Sequence, residues 1–463
     1  MFLSGCGQVE APYSEESSDQ LAACSSDLYR SIASAAAEHL DKGDVPDNWV
    51  ETTYNFVDPV VATEEELFER TRQMILSAEH ELLIETWEWQ TDSDPARALI
   101  AALKELADLR RAQNARDPIE VKLLINLSAT WDQDVIPDIA GELKRAGITG
   151  AYLDLKLARY HFGGLDSNHS KTVIADGSRA IVQGANLNHE HDMPGGLFDA
   201  SYWIEGDAVC GLHRAYSNNW TRGEEWLCGD TVSPYDLLKA NPEDPHPECW
   251  IDNPRLNAPV QLPEIGIPRD ELCKPVMITS RKARRPVLSP HRENPQAAAF
   301  LAAVRNAKSI IRIATPNINE SKFVGELIDA AKRGVRVEML LSYKMNDLAE
   351  SVVGRGGATT STVNKIYDSL QSQADHCHTM DIRWFSRDSK VPEKGWGDSS
   401  HAKYMSVDNQ VVIIGSANHD NQSWYNSREL NLVIDDSELT KNYDKQVFGR
   451  IYDPGVPADQ CKP

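Results

Sequence analysis

Two stretches of the chain, 232 residues apart, carry the same spaced set of side chains: His169, Lys171, Asp176 and Asn186 in the first, His401, Lys403, Asp408 and Asn418 in the second. Imidazole both gives and takes a proton near neutrality, and an ammonium two residues away is a donor to anionic oxygen. Two such pairs suit displacement at an anionic centre such as a phosphodiester. One ring attacks, the other protonates the departing alkoxide, and the two lysines hold the non-bridging oxygens. The two rings share a coupled titration, since one must be neutral while the other is protonated. Asn186 and Asn418 add neutral hydrogen bonds, and Ser416, in the turn Gly415-Ser-Ala-Asn418, is a further donor candidate.

Along a strand, the period of two sets His169 beside Lys171 and His401 beside Lys403. Asp176 and Asp408 follow their histidines at an odd offset of seven, which turns them to the opposite face; they read as structural residues at a turn. Around each motif the chain alternates strand-like and helix-like segments. In the first half these are ELFERTRQMILSAEHELLIETWEW (66–89), ALIAALKEL (98–106) and IEVKLLI (119–125); in the second, AKSIIRIATPNI (307–318) and AAKRGVRVEMLLS (330–342). The continuous apolar run of 119–125 is that of a strand covered on both faces. The alternation predicts a mixed, largely parallel α/β sandwich built from a duplicated unit.

Four parts follow: 1–48, an N-terminal tail, read as a tether plus a short helix at 28–41; 49–222, a first repeat; 223–292, a Pro- and Cys-rich linker or lid; and 293–463, a second repeat. Gly354-Arg-Gly-Gly357 is a loop candidate near the substrate entrance.

The paired motifs resemble those of the phospholipase D superfamily, and the resemblance covers most of residues 60–450. The segment GSANHDNQSWYNSRELNLVIDD (415–436) is similar to the corresponding part of bacterial cardiolipin synthases. The resemblance implies two similar α/β sandwich halves related by a pseudo-two-fold axis, with one shared active site at their interface. It implies a phosphohistidine intermediate on one ring, here His169, with His401 as general acid and base. It also makes Asp199 and Glu429, 30 and 28 residues after His169 and His401 respectively, the carboxylates that orient the rings. Such a scheme requires no metal or other cofactor, the lysines supplying the charge that a cation supplies elsewhere. One departure is Gln183, where the family has glycine at the start of the turn.

The implied activity is a phosphodiesterase or phosphatidyltransferase on phospholipid at a membrane surface, with water or an alcohol as acceptor and cardiolipin-synthase-type transfer as a variant. Two alternatives stay open: a secreted nuclease or soluble-substrate phosphodiesterase of the same superfamily, and a catalytically inactive binding member. With 47 basic against 70 acidic residues the net charge is −23, opposite to the basic surface that polynucleotides require, so no nucleic-acid partner is expected. The basic run Arg281–Arg285 reads as a solvated loop. His189, His191, His376 and His378, together with His161, are too weakly patterned for a metal site. Trp203 and Trp220 read as core, and of the tryptophans Trp396, just before His401, is the best candidate for an interfacial or acyl-chain contact.

Eight scattered cysteines suggest disulfides in an oxidising compartment, and Leu3-Ser-Gly-Cys6 resembles the lipobox of bacterial lipoproteins. An extracytoplasmic protein, secreted, periplasmic or lipid-anchored through Cys6, is expected, and a monomer.

Overall fold

The computed structural model describes residues 25–39, 50–53, 55–56, 60–61, 64–126, 135–148, 150–160, 167–192, 195–206, most of 208–220, 274–281, 294–351, 356–371, 378–390 and 399–458. All eight cysteines, His161, His376, Trp396 and Gly354 lie outside them.

Two sheets carry the fold. The first runs in the order β2 (Asn55–Phe56), β9 (Ala200–Glu205), β8 (Arg179–Gln183), β7 (Thr172–Ala175), β4 (Glu81–Thr86), β5 (Ile119–Asn126), β6 (Leu153–Tyr160), with β3 (Val60–Val61) also on β9. The second runs β1 (Val50–Thr53), β10 (Lys274–Arg281), β16 (Glu429–Asp435), β15 (Val411–Gly415), β14 (Tyr404–Val407), β11 (Ile310–Thr315), β12 (Arg336–Leu341), β13 (Met380–Trp384), β17 (Val456–Pro457). The path β9-β8-β7-β4-β5-β6 has the same winding as β16-β15-β14-β11-β12-β13, so the duplication seen in the motifs is a duplication of the sheet.

Among the described strands, pairing is parallel only at β4–β5, β5–β6, β11–β12 and β12–β13. The expectation of a largely parallel sheet is therefore corrected to a mixed one in which antiparallel pairs prevail. Each motif forms a tight hairpin rather than a crossover. Asp176 and Gly177 take φ of 53° and 62° between β7 and β8, and Asp408 and Asn409 take 55° and 52° between β14 and β15. Two successive left-handed residues make the turn whose twist matches paired strands, and Asp, Asn and Gly are the residues that adopt it.

The sheets face each other. Leu83, Leu124, Ile174, Val182 and Tyr202 from the first meet Ile278, Tyr404, Ile414, Leu432 and Ile434 from the second in one buried cluster. Helices cover the outer faces: Asp94–Ala112 packs Leu99, Leu103 and Leu106 on the first sheet, and Pro295–Asn306 and Ser321–Lys332 pack on the second. The helix Asp94–Ala112 starts where the Ser93 hydroxyl accepts from Ala96 N–H and Pro95 sits in the first turn, and ends on Arg110 and Arg111.

Three segments sit elsewhere than the sequence boundaries put them. Asp27–Glu38, the helix of the tail, buries Tyr29, Ile32 and Ala36 in the outer core of the second half. Val50–Thr53 pairs with β10 in the second sheet. Lys274–Arg281, inside the segment read as linker, is an internal strand between β1 and β16, and Arg281 is buried there rather than solvated. The Lys-Pro-Val-Met-Ile-Thr-Ser-Arg stretch has the apolar content of a buried strand but stands beside a Pro-rich region that masks it. Trp220 is core, whereas Trp203 is half-buried under the Arg70 guanidinium.

Candidate active site

His169 and Lys171 lie in the extended chain entering β7, and His401 and Lys403 in the chain entering β14, just outside the strands proper. Both segments run into the seam between the sheets. There the imidazole centroids stand 6.4 Å apart at 84°. The rings come from opposite repeats, and both are about nine-tenths buried, with 9% and 7% of their surface exposed.

Each ring is held by the other half. His169 Nδ1 lies 3.1 Å from Glu429 Oε2 and 3.1 Å from the Ser416 carbonyl, while His401 Nδ1 lies 3.0 Å from Asp199 Oδ2. The backbone repeats the exchange: His169 N–H donates to the Arg428 carbonyl and His401 N–H to the Phe198 carbonyl. Reading each carboxylate with the histidine of its own repeat therefore needs correcting, because β9 ends the first motif against the second motif's histidine, and β16 does the reverse. With Nδ1 engaged on both rings, Nε2 is the nitrogen left for chemistry.

Lys171 Nζ donates to the His169 carbonyl at 2.7 Å, and Lys403 Nζ to the His401 carbonyl. Burial and the neighbouring Lys403 charge bring Lys171 down to about 7, and burial brings Lys403 down to about 8, against the pull of Asp199 and Glu429. Burial also lowers both histidines, His401 well below the usual range. Asp199 is held far below the usual carboxylate range: burial opposes its ionisation, but His191, His401 and Lys403 outweigh it. Two lysines and two carboxylates thus face one another in a buried seam.

Asn186, 1% exposed, has no partner for either amide atom, and Asn418 has none for Oδ1 while its Nδ2 donates to Asp420. These amide atoms are buried with no hydrogen-bond partner among the described residues. Ser416 is placed differently from the expectation of a direct donor: its hydroxyl donates to Glu429 Oε2 at 2.6 Å and accepts Leu430 N–H at 3.0 Å, so it steadies the carboxylate. Asp176 accepts from Glu79, His80 and Glu81 N–H, and Asp408 from Lys308, Ser309 and Ile310 N–H. Both tie the hairpin turn to the start of the neighbouring strand, away from the rings. Gln183 closes β8 opposite Ser201 without crowding the turn. The position that admits no side chain is Gly184, where a Cβ would fall 2.1 Å from Asp199 Oδ1.

Sequence reasoning passed over three neighbours. Trp87 packs edge-on to His169 at 5.4 Å, with Lys171 Nζ 5.8 Å from its ring centroid. Glu190, pushed up to about 7 by burial and by Glu88, borders Lys403. His191 is fully buried 5.9 Å from the His401 ring, whereas His189 is exposed between Asp92 and Asp192. The His189-x-His191 pattern was the only signal for it, and its counterpart in the second repeat is Ser423.

Two like-wound sheets meeting over paired histidines and lysines define a duplicated α/β protein with one composite site. Cardiolipin synthase, PLD-like domain, is the family whose description matches residues 300–451. Cardiolipin synthase 1 from Staphylococcus aureus, in strains MRSA252 and COL, is 22% identical over 303 residues, covering 64% of this chain and 49% of that protein. The chain thus spans about half the length of the curated relatives it matches. Among solved structures, phosphatidylserine synthase from Haemophilus influenzae Rd KW20 has a TM-score of 0.60 at 12% identity, over 93% of this chain and 91% of that one. These likenesses, to a PLD-like domain in the second half and to the fold of a phosphatidylserine synthase over most of the chain, support the resemblance to the phospholipase D superfamily that the paired motifs carry.

Proposed function

We propose that this protein is a phosphodiesterase or phosphatidyltransferase of phospholipase D type that acts on membrane phospholipid through a phosphohistidine, with cardiolipin-synthase-type transfer as one form of the reaction. The observation that carries the reading is the pair of cross-held imidazoles, 6.4 Å apart, between two buried lysines. A phosphodiester entering the seam places its non-bridging oxygens on Lys171, Lys403, Asn186 and Asn418. Its negative charge keeps both lysines protonated and draws a proton to His401. His169 Nε2 then attacks phosphorus, and the bond to the leaving oxygen breaks as His401 Nε2 hands that oxygen its proton. In the second step His401 takes a proton from water or an acceptor alcohol, the new oxygen–phosphorus bond forms and the nitrogen–phosphorus bond breaks.

No helix among the described residues is long and apolar enough to cross a membrane. In this reading the enzyme meets lipid outside the cytoplasm, tethered through an acylated Cys6; palmitate labelling that is lost in Cys6→Ser tests the tether. The activity is tested by incubating pure protein with mixed phospholipids and a short primary alcohol in the presence of chelator. Formation of phosphatidyl alcohol, abolished in His169→Ala and in His401→Ala, supports the proposal. Cleavage of a soluble diester or of single-stranded DNA without lipid turnover overturns the substrate class, and turnover of neither overturns the enzymatic reading.

A further inference from the structure

The two catalytic carboxylates are served by different groups. Glu429 Oε2 accepts His169 Nδ1 and the neutral hydroxyl of Ser416. Asp199 Oδ2 accepts His401 Nδ1 at 3.0 Å and faces a second imidazole, His191 Nε2, at 3.4 Å, while Asp199 Oδ1 accepts Ala200 N–H. Neither device has an equivalent across the repeat. The place of Ser416 is taken in the first half by Gly184, and the place of His191 is taken in the second by Ser423, whose hydroxyl accepts Asn418 N–H.

The protonation of His191 follows from its neighbours. Asn188 Nδ2 donates to the Glu88 carboxylate at 2.8 Å, which fixes the amide and turns Oδ1 toward His191 Nδ1 at 2.9 Å. Nδ1 must therefore carry a proton. On the other side Nε2 confronts a carboxylate oxygen, where a lone pair would be repelled and a proton is bound. A ring that faces an acceptor at each nitrogen is placed to hold a proton on both. The charged groups that face it are Asp199 and His401, with Lys403 acting on both. Its own turn carries Glu190 and His189, the latter held by Asp92 and Asp192.

We propose that His191 is a positioning residue: a buried imidazolium that shares Asp199 with His401, cancels that carboxylate's charge, and so makes the two catalytic histidines unequal. This rests on the reading under Proposed function and deepens it. With its carboxylate neutralised, His401 holds a proton weakly and releases it readily to the leaving oxygen. His169, backed by a carboxylate whose hydrogen-bond partners among the described residues are the Ser416 hydroxyl and the ring's own N–H, gains electron density at Nε2 and supports the positive charge that grows on the ring as the bond to phosphorus forms. His191 keeps its protons throughout, and the order of roles, His169 as nucleophile and His401 as acid, is set by one side chain outside the duplicated motifs.

The test uses the full chain with 15N-labelled histidine rings, as wild type and as His191→Gln, which keeps a donor toward Asp199 but carries no charge. In the wild type both His191 nitrogens are expected to carry protons in the neutral-pH spectra. In His191→Gln the His401 midpoint should rise by about one pH unit, the effect of removing a cation a few ångströms from its carboxylate. The alkaline limb of kcat/KM should move up by the same amount while the acid limb stays. A single neutral tautomer at His191 overturns the proposal. So does a His401 midpoint that stays put in His191→Gln while the rate falls equally at every pH, the mark of a packing role. Should His191→Gln fail to fold, the wild-type spectra still decide the charge. The spectra need no lipid, so a protein that fails to transfer phosphatidyl groups would overturn the proposed function and leave the state of His191 to be judged separately.

Discussion

Glu429, on the second sheet, and His169, entering the first, stand 3.1 Å apart, and with the Ser416 and Arg428 carbonyls this contact joins the repeats at the imidazole. Glu429→Gln removes the charge that balances a growing positive ring, and kcat is expected to fall by about 10²- to 10⁴-fold with little change in KM. Ser416→Ala, which only loosens that carboxylate, should cost about ten-fold. In the Glu429→Gln background the serine change should add little, since both act on one interaction. Full additivity of the two would show that Ser416 touches the substrate directly.

Anion affinity should depend on pH in a defined direction. Lys171 at about 7 and Lys403 at about 8 are cationic below those values and neutral above them. Sulfate, whose own charge does not change in this range, should bind the empty protein most tightly below pH 7 and weaken by about ten-fold or more by pH 9, each lost proton removing a charge from the seam. Calorimetric affinities that do not vary with pH would contradict the buried dyad.

The turn aspartates are expected to report on stability rather than rate. Asp408→Ala strands the N–H groups of Lys308, Ser309 and Ile310 and forces a left-handed φ on alanine, a cost of about 2–4 kcal/mol. Burial alone would raise the Asp408 carboxyl, but those N–H groups outweigh it and hold it below its ordinary value. Its contribution is therefore present above the unfolded pKa and disappears as pH falls through the folded one, so the penalty of the substitution should shrink in acid. The rate per folded molecule should not change.

His419 is stacked on Phe323 at 4.1 Å, and burial alone lowers it to about 3. The unfolded chain takes up a proton near pH 6.5 and the folded one does not until near pH 3. Stability is then lost progressively as pH falls across that window. His419→Phe should move the acid-unfolding midpoint to lower pH and leave stability at neutral pH within about 1.5 kcal/mol of wild type. An unchanged acid midpoint would mean that the ring escapes to water before it titrates.

The residue types and the spacing of the repeats carried the duplicated α/β fold, because strand and helix periodicities occur twice in the same order. The aspartates of the turns were legible from an odd offset alone. The exchange of carboxylates was not: an offset of 30 or 28 residues measures distance along one repeat, whereas the hydrogen bonds run between repeats. Ser416 was expected as a direct donor and His191 was left among solvated or supporting histidines for a related reason, since each stands where the other half has a different residue and comparison of the motifs points away from it. The strand Lys274–Arg281 was hidden by its Pro-rich surroundings, and Gln183 looked disruptive because the tight approach belongs to its neighbour Gly184.

The helix Asp27–Glu38 is fastened to Asp435 through Ser26 and embedded beside Pro295–Asn306, so a segment that precedes the first sheet in sequence completes the core of the second half. A cut between the repeats would leave the carboxy-terminal fragment with a bare alanine-rich groove and the amino-terminal one with an orphaned amphipathic segment. The segment Asp27–Glu38 thus waits on the ribosome for a partner made much later, and the core of the second half closes only once Pro295–Asn306 and the strand ending at Asp435 have been synthesised.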